Sequence, residues 1–92
     1  MTIGIEIAFD SGKDARNVKK HGVSLAAAAR FDFDTALERV DIVDGEERWV
    51  ALGFLDAALY VLVYTLRGED TVRPISLRKA TPGERKSYVQ EI

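Results

Sequence analysis

Between Thr35 and Arg78 the chain alternates apolar and polar residues with period two, and short turns interrupt the alternation. Period two is the pattern of a half-buried β-strand, because successive side chains of a strand point to opposite faces. The predicted strands are TALERVDI, RWVALGF, ALYVLVYTL and TVRPISLR, and the predicted connections include the turn DGEE and the hairpin loop RGED. Strands joined this closely pair as hairpins, so we expect an antiparallel sheet of about four strands.

The segments before this region predict one more strand and two helices. The stretch TIGIEIAF alternates over residues 2–9 and predicts a strand. FDSGKDARNVKKHG then predicts a helix that Asp10 or Ser11 caps and that ends at Gly22. Ser24 caps a second, alanine-rich helix. Its expected buried residues are Leu25, Ala28, Ala29 and Phe33.

A third helix follows the sheet, in TPGERKSYVQEI. Thr81 is the expected cap, Pro82 the first helical residue, and Glu84 the second half of a capping box. The element order is therefore β-α-α-β-β-β-β-α, which indicates an α+β fold. Ninety-two residues are enough for one domain, spanning 1–92, and leave no room for a second core.

The last strand carries most of the polar residues that bear on function. A regular alternation places Arg73, Ile75 and Leu77 on one face. The other face then holds Val72, Pro74, Ser76 and Arg78. Proline has no N–H to donate to a sheet, so we expect Pro74 to lie at an edge or beside a bulge.

The net charge of −2 is unevenly distributed. Residues 12–30 contain five basic residues and one acidic residue, and residues 67–86 contain six basic and three acidic residues. Residues 31–56, in contrast, contain eight acidic and two basic residues. If the fold brings the two basic segments together, one surface becomes positive and suits a polyanion. Otherwise these charges are solvated helix and loop surfaces.

Several kinds of site are not indicated. With one histidine and no cysteine, the chain lacks the ligands of an ordinary zinc site, and we expect neither a metal nor a cofactor. The acidic residues around DGEE do not have the spacing of a calcium or magnesium loop. The absence of cysteine fits a cytoplasmic protein. No segment predicts a signal peptide or a membrane helix.

The remaining chemistry-bearing residues are Arg, Lys, His and Tyr, which suit cleavage of RNA without a metal. The ribose 2′-hydroxyl is the nucleophile, so the protein supplies a base, an acid and cations for the phosphorane. His21 in KKHGVS is the chain's only histidine and is a candidate for proton transfer. A lone histidine at the basic end of a helix is, however, more often a group that complements the helix dipole.

Three stretches resemble the BrnT-type toxins of bacterial type II toxin–antitoxin systems. They are FDSGKDARNVKKHGVSL, GEERWVALG and LYVLVYTLRGEDTVRPISLRKATPGERKSY. The specific pieces are KHGVS and ISLRKAT followed by ER and Y. The resemblance implies a RelE-like fold and a metal-independent endoribonuclease that cuts RNA and stops translation. It also implies a ribbon-helix-helix antitoxin, similar to BrnA, that neutralises the toxin. The resemblance further implies that promoter DNA is bound only through the complex of the two proteins, which represses transcription.

The resemblance also suggests roles for individual residues. It places Arg48, Arg78 and Lys20 at the phosphate, and His21 or Tyr88 in proton transfer. The further expected RNA contacts are Arg67, Arg73, Ser76 and Lys79. Each has a structural alternative: Arg67, Arg73 and Lys79 as solvated charges, and Ser76 as a strand residue. For Glu84 the alternatives are helix cap and catalytic group, and the cap is favoured. Lys13 and Asn17 match the family on the first helix, and for them surface charge and helix packing are the favoured interpretation.

The sequence departs from the family at Phe9, where tryptophan is common, and at Pro74, where isoleucine is common. Its net charge is also low for a ribonuclease. Two functions therefore stay open at this stage. One is a ribonuclease toxin, and the other is a non-catalytic module that binds the antitoxin and serves as its corepressor.

Overall fold

A computed structural model describes residues 6–68 and 70–91, and it has an α+β fold with one mixed sheet. The elements are β1 (Glu6–Ile7), α1 (Ser11–His21), a 3₁₀ helix (Leu25–Arg30), β2 (Leu37–Val43), β3 (Glu46–Leu55), β4 (Ala58–Arg67), β5 (Thr71–Lys79) and α2 (Pro82–Glu91). The predicted α+β class and the positions of these elements are confirmed. The part of the first predicted strand at residues 2–5 lies outside the described residues. Neither α-helix has the length and apolar character needed to cross a bilayer.

The sheet has five strands in the order β1-β5-β4-β3-β2, rather than about four. The strands β2 to β5 are antiparallel to their neighbours, as expected. The difference comes from β1, which adds to the outside of β5 in parallel, with Glu6 beside Thr71 and Ile7 beside Val72. A parallel neighbour requires a long connection, here the whole chain from α1 to β4, and local alternation carries no information about such a pairing.

Helix α1 begins and ends where its sequence predicts. The Asp10 side chain accepts a hydrogen bond from the backbone N–H of Lys13 at 2.9 Å, so Asp10 rather than Ser11 is the cap. Gly22 ends the helix with φ of 75°, a conformation that glycine adopts without steric cost. The Asp14 carboxylate then accepts hydrogen bonds from the Ser24 hydroxyl and the Leu25 N–H, which fixes the next helix against α1.

The second helix is a 3₁₀ helix, and its predicted buried face is only partly correct. Ser24 caps it, and Leu25 and Ala28 are buried as expected. Ala29 is exposed, however, and Ala27 is buried in its place. The difference arises because a 3₁₀ helix has three residues per turn, which changes the side chains that face the sheet.

The two faces of the sheet are covered unequally. The front face packs against α1 and the 3₁₀ helix, and its core contains Leu25, Phe31, Leu62 and Leu77 among others. The back face carries α2, whose single buried residue among those described is Tyr88. Tyr88 packs edge-on against Phe54, and its hydroxyl donates to the carbonyl of Thr35. On this face Tyr88 belongs to a second, smaller apolar cluster with Leu59, Val61 and Ala80.

A β-bulge interrupts β5 immediately after Pro74. Val63 pairs with Ser76 while the next residue of β4, Tyr64, pairs with Pro74, so Ile75 has no partner on β4. The proposed place for Pro74, beside a bulge, is confirmed. The predicted faces of β5 are wrong, because the extra residue shifts the alternation. Val72 and Leu77 both lie in the front core.

The bulge therefore changes which functional candidates share a face. Arg73 pairs with Thr65, and Ser76 and Arg78 pair with Val63 and Val61. The side chains of Arg73, Ser76 and Arg78 therefore all lie on the back face. A regular alternation would have placed Arg73 on the face opposite to Ser76 and Arg78. Lys79, beside Tyr60, is on the front face.

The capping box at α2 forms as predicted, and it also carries an ion pair. Glu84 accepts from the Thr81 N–H at 2.8 Å, and its own N–H donates to the Thr81 hydroxyl. Both carboxylate oxygens of Glu84 bind the two terminal nitrogens of Arg78, at 2.8 and 2.9 Å. The hydrogen bond from Arg78 is the main cause that lowers the pKa of Glu84 to about 2, with the Thr81 N–H adding to it.

We expect the Asn17→Ala variant to unfold more easily by about 2–3 kcal/mol, because it leaves buried backbone groups without a hydrogen bond. Asn17 is 5% exposed and bonds both backbone groups of Leu77 and the carbonyl of Val23. Urea unfolding measures the difference. The control is Val18→Ala, at an exposed neighbouring position, for which we expect a change within about 0.5 kcal/mol. Equal effects at both positions would contradict this role of Asn17.

The Glu84–Arg78 pair predicts a pH-dependent contribution to stability. Because its folded pKa of about 2 lies below the ordinary 4.5, Glu84 stabilises the fold above pH 4.5 and loses this contribution as the pH falls toward 2. Both side chains are about one-third exposed, so we expect on the order of 1 kcal/mol after screening by solvent. Unfolding of the protein and of Glu84→Gln, which retains a capping side chain, should differ at pH 7 and converge near pH 2. A constant difference would contradict the ion pair.

Candidate functional site

The candidate site is a groove between α1 and the outer edge of β5. β1 covers β5 only at Thr71 and Val72, and α1 crosses the remainder of the edge. Two adjoining cavities of about 300 and 80 Å³ lie there and share Lys13 and Ile75. Their other lining residues are Asp10, Arg16, Asn17, Lys20, His21, Glu46, Arg48, Thr65, Arg73, Pro74 and Ser76. We call these two cavities the α1–β5 groove.

The groove is strongly cationic. Lys13, Arg16 and Lys20 come from α1, and Arg48 and Arg73 come from the back face of the sheet. The two acidic lining residues, Asp10 and Glu46, already make polar contacts within the protein. The carboxylate of Asp10 caps α1, and Glu46 lies 3.4 Å from the Arg48 guanidinium. The excess of cations suits a phosphodiester chain, which carries one negative charge per nucleotide.

His21 lies at the C-terminal end of α1, within the larger cavity of the groove. It is half-buried and shares that cavity with Lys20 and Ser76. The backbone is fixed on either side of it, because the Gly22 N–H closes the helix by donating to the Val18 carbonyl at 2.8 Å. An imidazole, a hydroxyl and an ammonium group therefore line one cavity.

Five of the nine predicted site residues line the groove. They are Lys20, His21, Arg48, Arg73 and Ser76. Arg67 lines an adjoining cavity of about 380 Å³ together with Arg73 and Trp49. This cavity lies where β3 and β4 diverge, beyond the pairing of Trp49 with Tyr64. The groove thus continues along the back of the sheet toward Arg67.

The other three predicted site residues lie apart from the groove. Both terminal nitrogens of Arg78 are bound to Glu84, so a phosphate that reached Arg78 would compete with a carboxylate. Tyr88 is 4% exposed, and its hydroxyl is held by Thr35 at 2.9 Å. Lys79 is exposed on the front face. The contacts that Arg78 and Tyr88 make stabilise the fold.

Sequence reasoning did not place Arg16 in the site and favoured a surface-charge interpretation of Lys13. The available signal was the spacing on α1. Residues 13, 16 and 20 are separated by three and four positions, which places them on one side of a helix. Asn17 shares this side and binds the Leu77 backbone, so this side of α1 faces β5. The burial of Asn17 shows which side of α1 faces β5, and the basic residues on that side are therefore groove residues.

Comparison with known protein families identifies the chain. Residues 9–84 match the family described as the ribonuclease toxin BrnT of type II toxin–antitoxin systems. The chain belongs to the BrnT family. It is accordingly a toxin of the type II class with ribonuclease function, and its family implies an antitoxin partner.

The fold of this BrnT-family chain is similar to that of a solved family member. The 1.1 Å crystal structure of the Brucella abortus ribonuclease toxin BrnT has a TM-score of 0.64 and 24% sequence identity to it. The match covers 84% of this chain and 97% of the Brucella chain. At this level of identity the likeness shows a shared fold. Comparison with curated protein sequences gave no match.

The geometry predicts that Lys13 and Arg16 of this BrnT-family chain contact RNA phosphates. We expect Lys13→Gln and Arg16→Gln each to weaken binding, and each to reduce the slope of log affinity against log salt by about 0.7, the value for one phosphate contact on a single strand. A 2′-O-methyl RNA is a suitable ligand because it lacks the 2′-hydroxyl. Lys86→Gln, on α2 and outside the groove, is the control. An unchanged salt slope in the two groove variants would exclude such contacts.

Proposed function

We propose that this protein is an endoribonuclease that cleaves RNA in the α1–β5 groove through the ribose 2′-hydroxyl, without a metal. The observation that carries the proposal is the presence of Lys20, His21 and Ser76 together with Arg48 and Arg73 in the α1–β5 groove. These groups come from distant parts of the sequence. The fold gathers Lys20, His21 and Ser76 around the larger cavity of the groove, and Arg48 and Arg73 around the smaller cavity that adjoins it.

The proposed reaction forms one bond and breaks another at phosphorus. The 2′-oxygen attacks the phosphate and loses its proton, a phosphorane forms, and the bond to the 5′-oxygen breaks as that oxygen gains a proton. The products are a 2′,3′-cyclic phosphate and a 5′-hydroxyl. His21 exchanges a proton in one or both of these steps, since imidazole can donate or accept near neutral pH.

The cations of the groove stabilise the phosphorane. Its equatorial oxygens carry more negative charge than the ground state, so groups fixed around them lower the barrier. The guanidinium groups of Arg48 and Arg73 can each bind two oxygens, while Lys20 provides a point charge close to His21. Arg48 has 37% of its side-chain surface exposed and a long contact to Glu46, so it is available to a ligand.

In the cell, we propose that cleavage stops translation and that a ribbon-helix-helix antitoxin similar to BrnA prevents it. The complex of the two proteins would bind their promoter and repress it in the cytoplasm. The BrnT membership supports this arrangement, since the family is defined by type II systems. We also propose that the fold is related to RelE-family ribonucleases, supported by the antiparallel core β2–β5 with helices on both sides of it in the sequence.

The mechanism predicts the chemistry of the products and the effect of three substitutions. Purified protein should cut RNA in the presence of EDTA and leave 2′,3′-cyclic phosphate ends, which mass spectrometry identifies. We expect His21→Gln to slow cleavage by about 100-fold, as removal of a proton-transfer group does. Arg48→Gln should slow cleavage by a similar factor through loss of charge stabilisation, and Lys20→Gln by a smaller one.

The matched control is Lys19→Gln, an exposed position on α1 that does not line the groove. An RNA with 2′-deoxyribose at the cleavage position should resist the protein. Cleavage of that substrate, or products with 5′-phosphate ends, would exclude attack by the 2′-hydroxyl. If the protein cuts no RNA with or without ribosomes, and its expression without an antitoxin leaves growth normal, the corepressor hypothesis replaces the ribonuclease one.

A further inference from the structure

The sheet has one covered edge and one open edge. At the β5 edge, β1 pairs with Thr71 and Val72, and the side chain of Asn17 bonds both backbone groups of Leu77. At the opposite edge, β2 has no strand on its outer side within the described part of the chain. Unpaired backbone groups of an edge strand can pair with another chain.

Strand β2 carries three charged residues, Glu38, Arg39 and Asp41, but it lacks the other features that normally protect an open edge. Proline, lysine, bulges and short length all discourage pairing. β2 is seven residues long, contains neither proline nor lysine, and pairs with β3 without a register shift. It also exposes apolar side chains: Val40 is 40%, Ile42 63% and Val43 38% exposed.

The turn after β2 determines which of its backbone groups point outward. Asp44 and Gly45 have φ of 52° and 77°, as a two-residue type I′ turn requires. Such a turn is closed by a hydrogen bond between the residues on either side, so Val43 directs its backbone groups toward β3. Because the direction alternates along an antiparallel strand, Ile42, Val40 and Glu38 direct theirs outward.

The sequence LERVDIV is complementary to itself when two copies run antiparallel with Val40 opposite Val40. All seven residues then pair, and Val40 is one of the residues whose backbone groups point outward. Arg39 lies opposite Asp41 of the second copy, and this contact occurs twice because of the two-fold symmetry. At the ends of the strand, Leu37 lies opposite Val43 of the second copy, which covers two apolar side chains.

Other registers are worse. If residue 39 lies on the two-fold axis, Arg39 is opposite Arg39 of the second copy. If residue 41 lies on the axis, Asp41 is opposite Asp41 of the second copy. In both registers only five residues of each strand overlap. Like charges directly opposite one another destabilise a strand pair. In one chain Arg39 and Asp41 already form an exposed ion pair at 2.6 Å, so both side chains lie on the same face and can exchange partners without leaving it.

The Glu38 carboxylate does not oppose this pairing. It accepts a hydrogen bond from the hydroxyl of Tyr64, which burial and this carboxylate hold at a pKa well above the ordinary value. Glu38 is thereby held toward its own sheet, and Ile42 of the second copy would lie beside it.

We propose that two copies of this protein pair through β2 in this register and form one continuous sheet across a two-fold axis. The dimer leaves both α1–β5 grooves open, because they lie at the opposite edge of each sheet. The inference goes beyond the proposed function and does not depend on it. A dimer with no cleavage activity would support the first and contradict the second.

Light scattering after size exclusion should give twice the mass of 10.2 kDa for the protein alone. Arg39→Asp and Asp41→Arg should each give the monomer mass, because each places two like-charge pairs across the axis. Mixing these two variants should restore a dimer, since the heterodimer has opposite charges at every such contact. The double variant Arg39→Asp/Asp41→Arg should also dimerise, which shows that the charges and not misfolding decide the result.

The control is the exposed pair Arg30–Asp56, outside β2, whose single charge reversals should leave the mass unchanged. Hydrogen exchange locates the interface: the amides of Glu38, Val40 and Ile42 should be protected in the dimer and lose protection on dilution. A monomer at the highest soluble concentration would overturn the proposal. So would a dimer that both single variants retain, or protection of these amides that appears only when an antitoxin is added.

Discussion

The position of α1, and with it the candidate site, depends on the side chain of Asn17. Its amide donates to the carbonyls of Leu77 and Val23, and its oxygen accepts from the Leu77 N–H. The two bonds to Leu77 replace those that a neighbouring strand would make, so the helix can lie against an edge whose backbone is otherwise unsatisfied. Since buried polar groups are costly when unpaired, this contact fixes both the position and the rotation of the helix.

The same contact organises the functional surface. With Asn17 fixed on Leu77, the residues one turn before and after it, Lys13 and Lys20, lie beside Ile75 and Ser76. The bulge at Ile75 positions the groove residues that the sheet contributes. It brings Arg73 to the face that holds Ser76, where the sheet also carries Arg48. The hydrogen bonds of Asn17 to Leu77 and the extra residue in β5 together produce the cationic groove.

The ion pair between Arg78 and Glu84 gives Arg78 a structural role that the family resemblance does not indicate. The resemblance associates Arg78 with phosphate, whereas the structure shows its guanidinium bound at both ends to the carboxylate that also caps α2. The contact joins the last strand to the last helix, and α2 otherwise buries only Tyr88. In this conformation Arg78 therefore stabilises the fold and lies outside the groove.

The sequence by itself determined the features that depend on near neighbours. The ends of α1 at Asp10 and Gly22, the capping box of α2 and the hairpins of the sheet follow from local hydrogen bonds and from alternation, which adjacent residues specify. Tertiary structure alone decided the parallel pairing of β1 with β5, the position of the extra residue in β5, the burial of Asn17 and the gathering of Lys13, Arg48 and His21 in one groove. These features join residues distant in the sequence, and such contacts depend on packing and long-range pairing that no local pattern records.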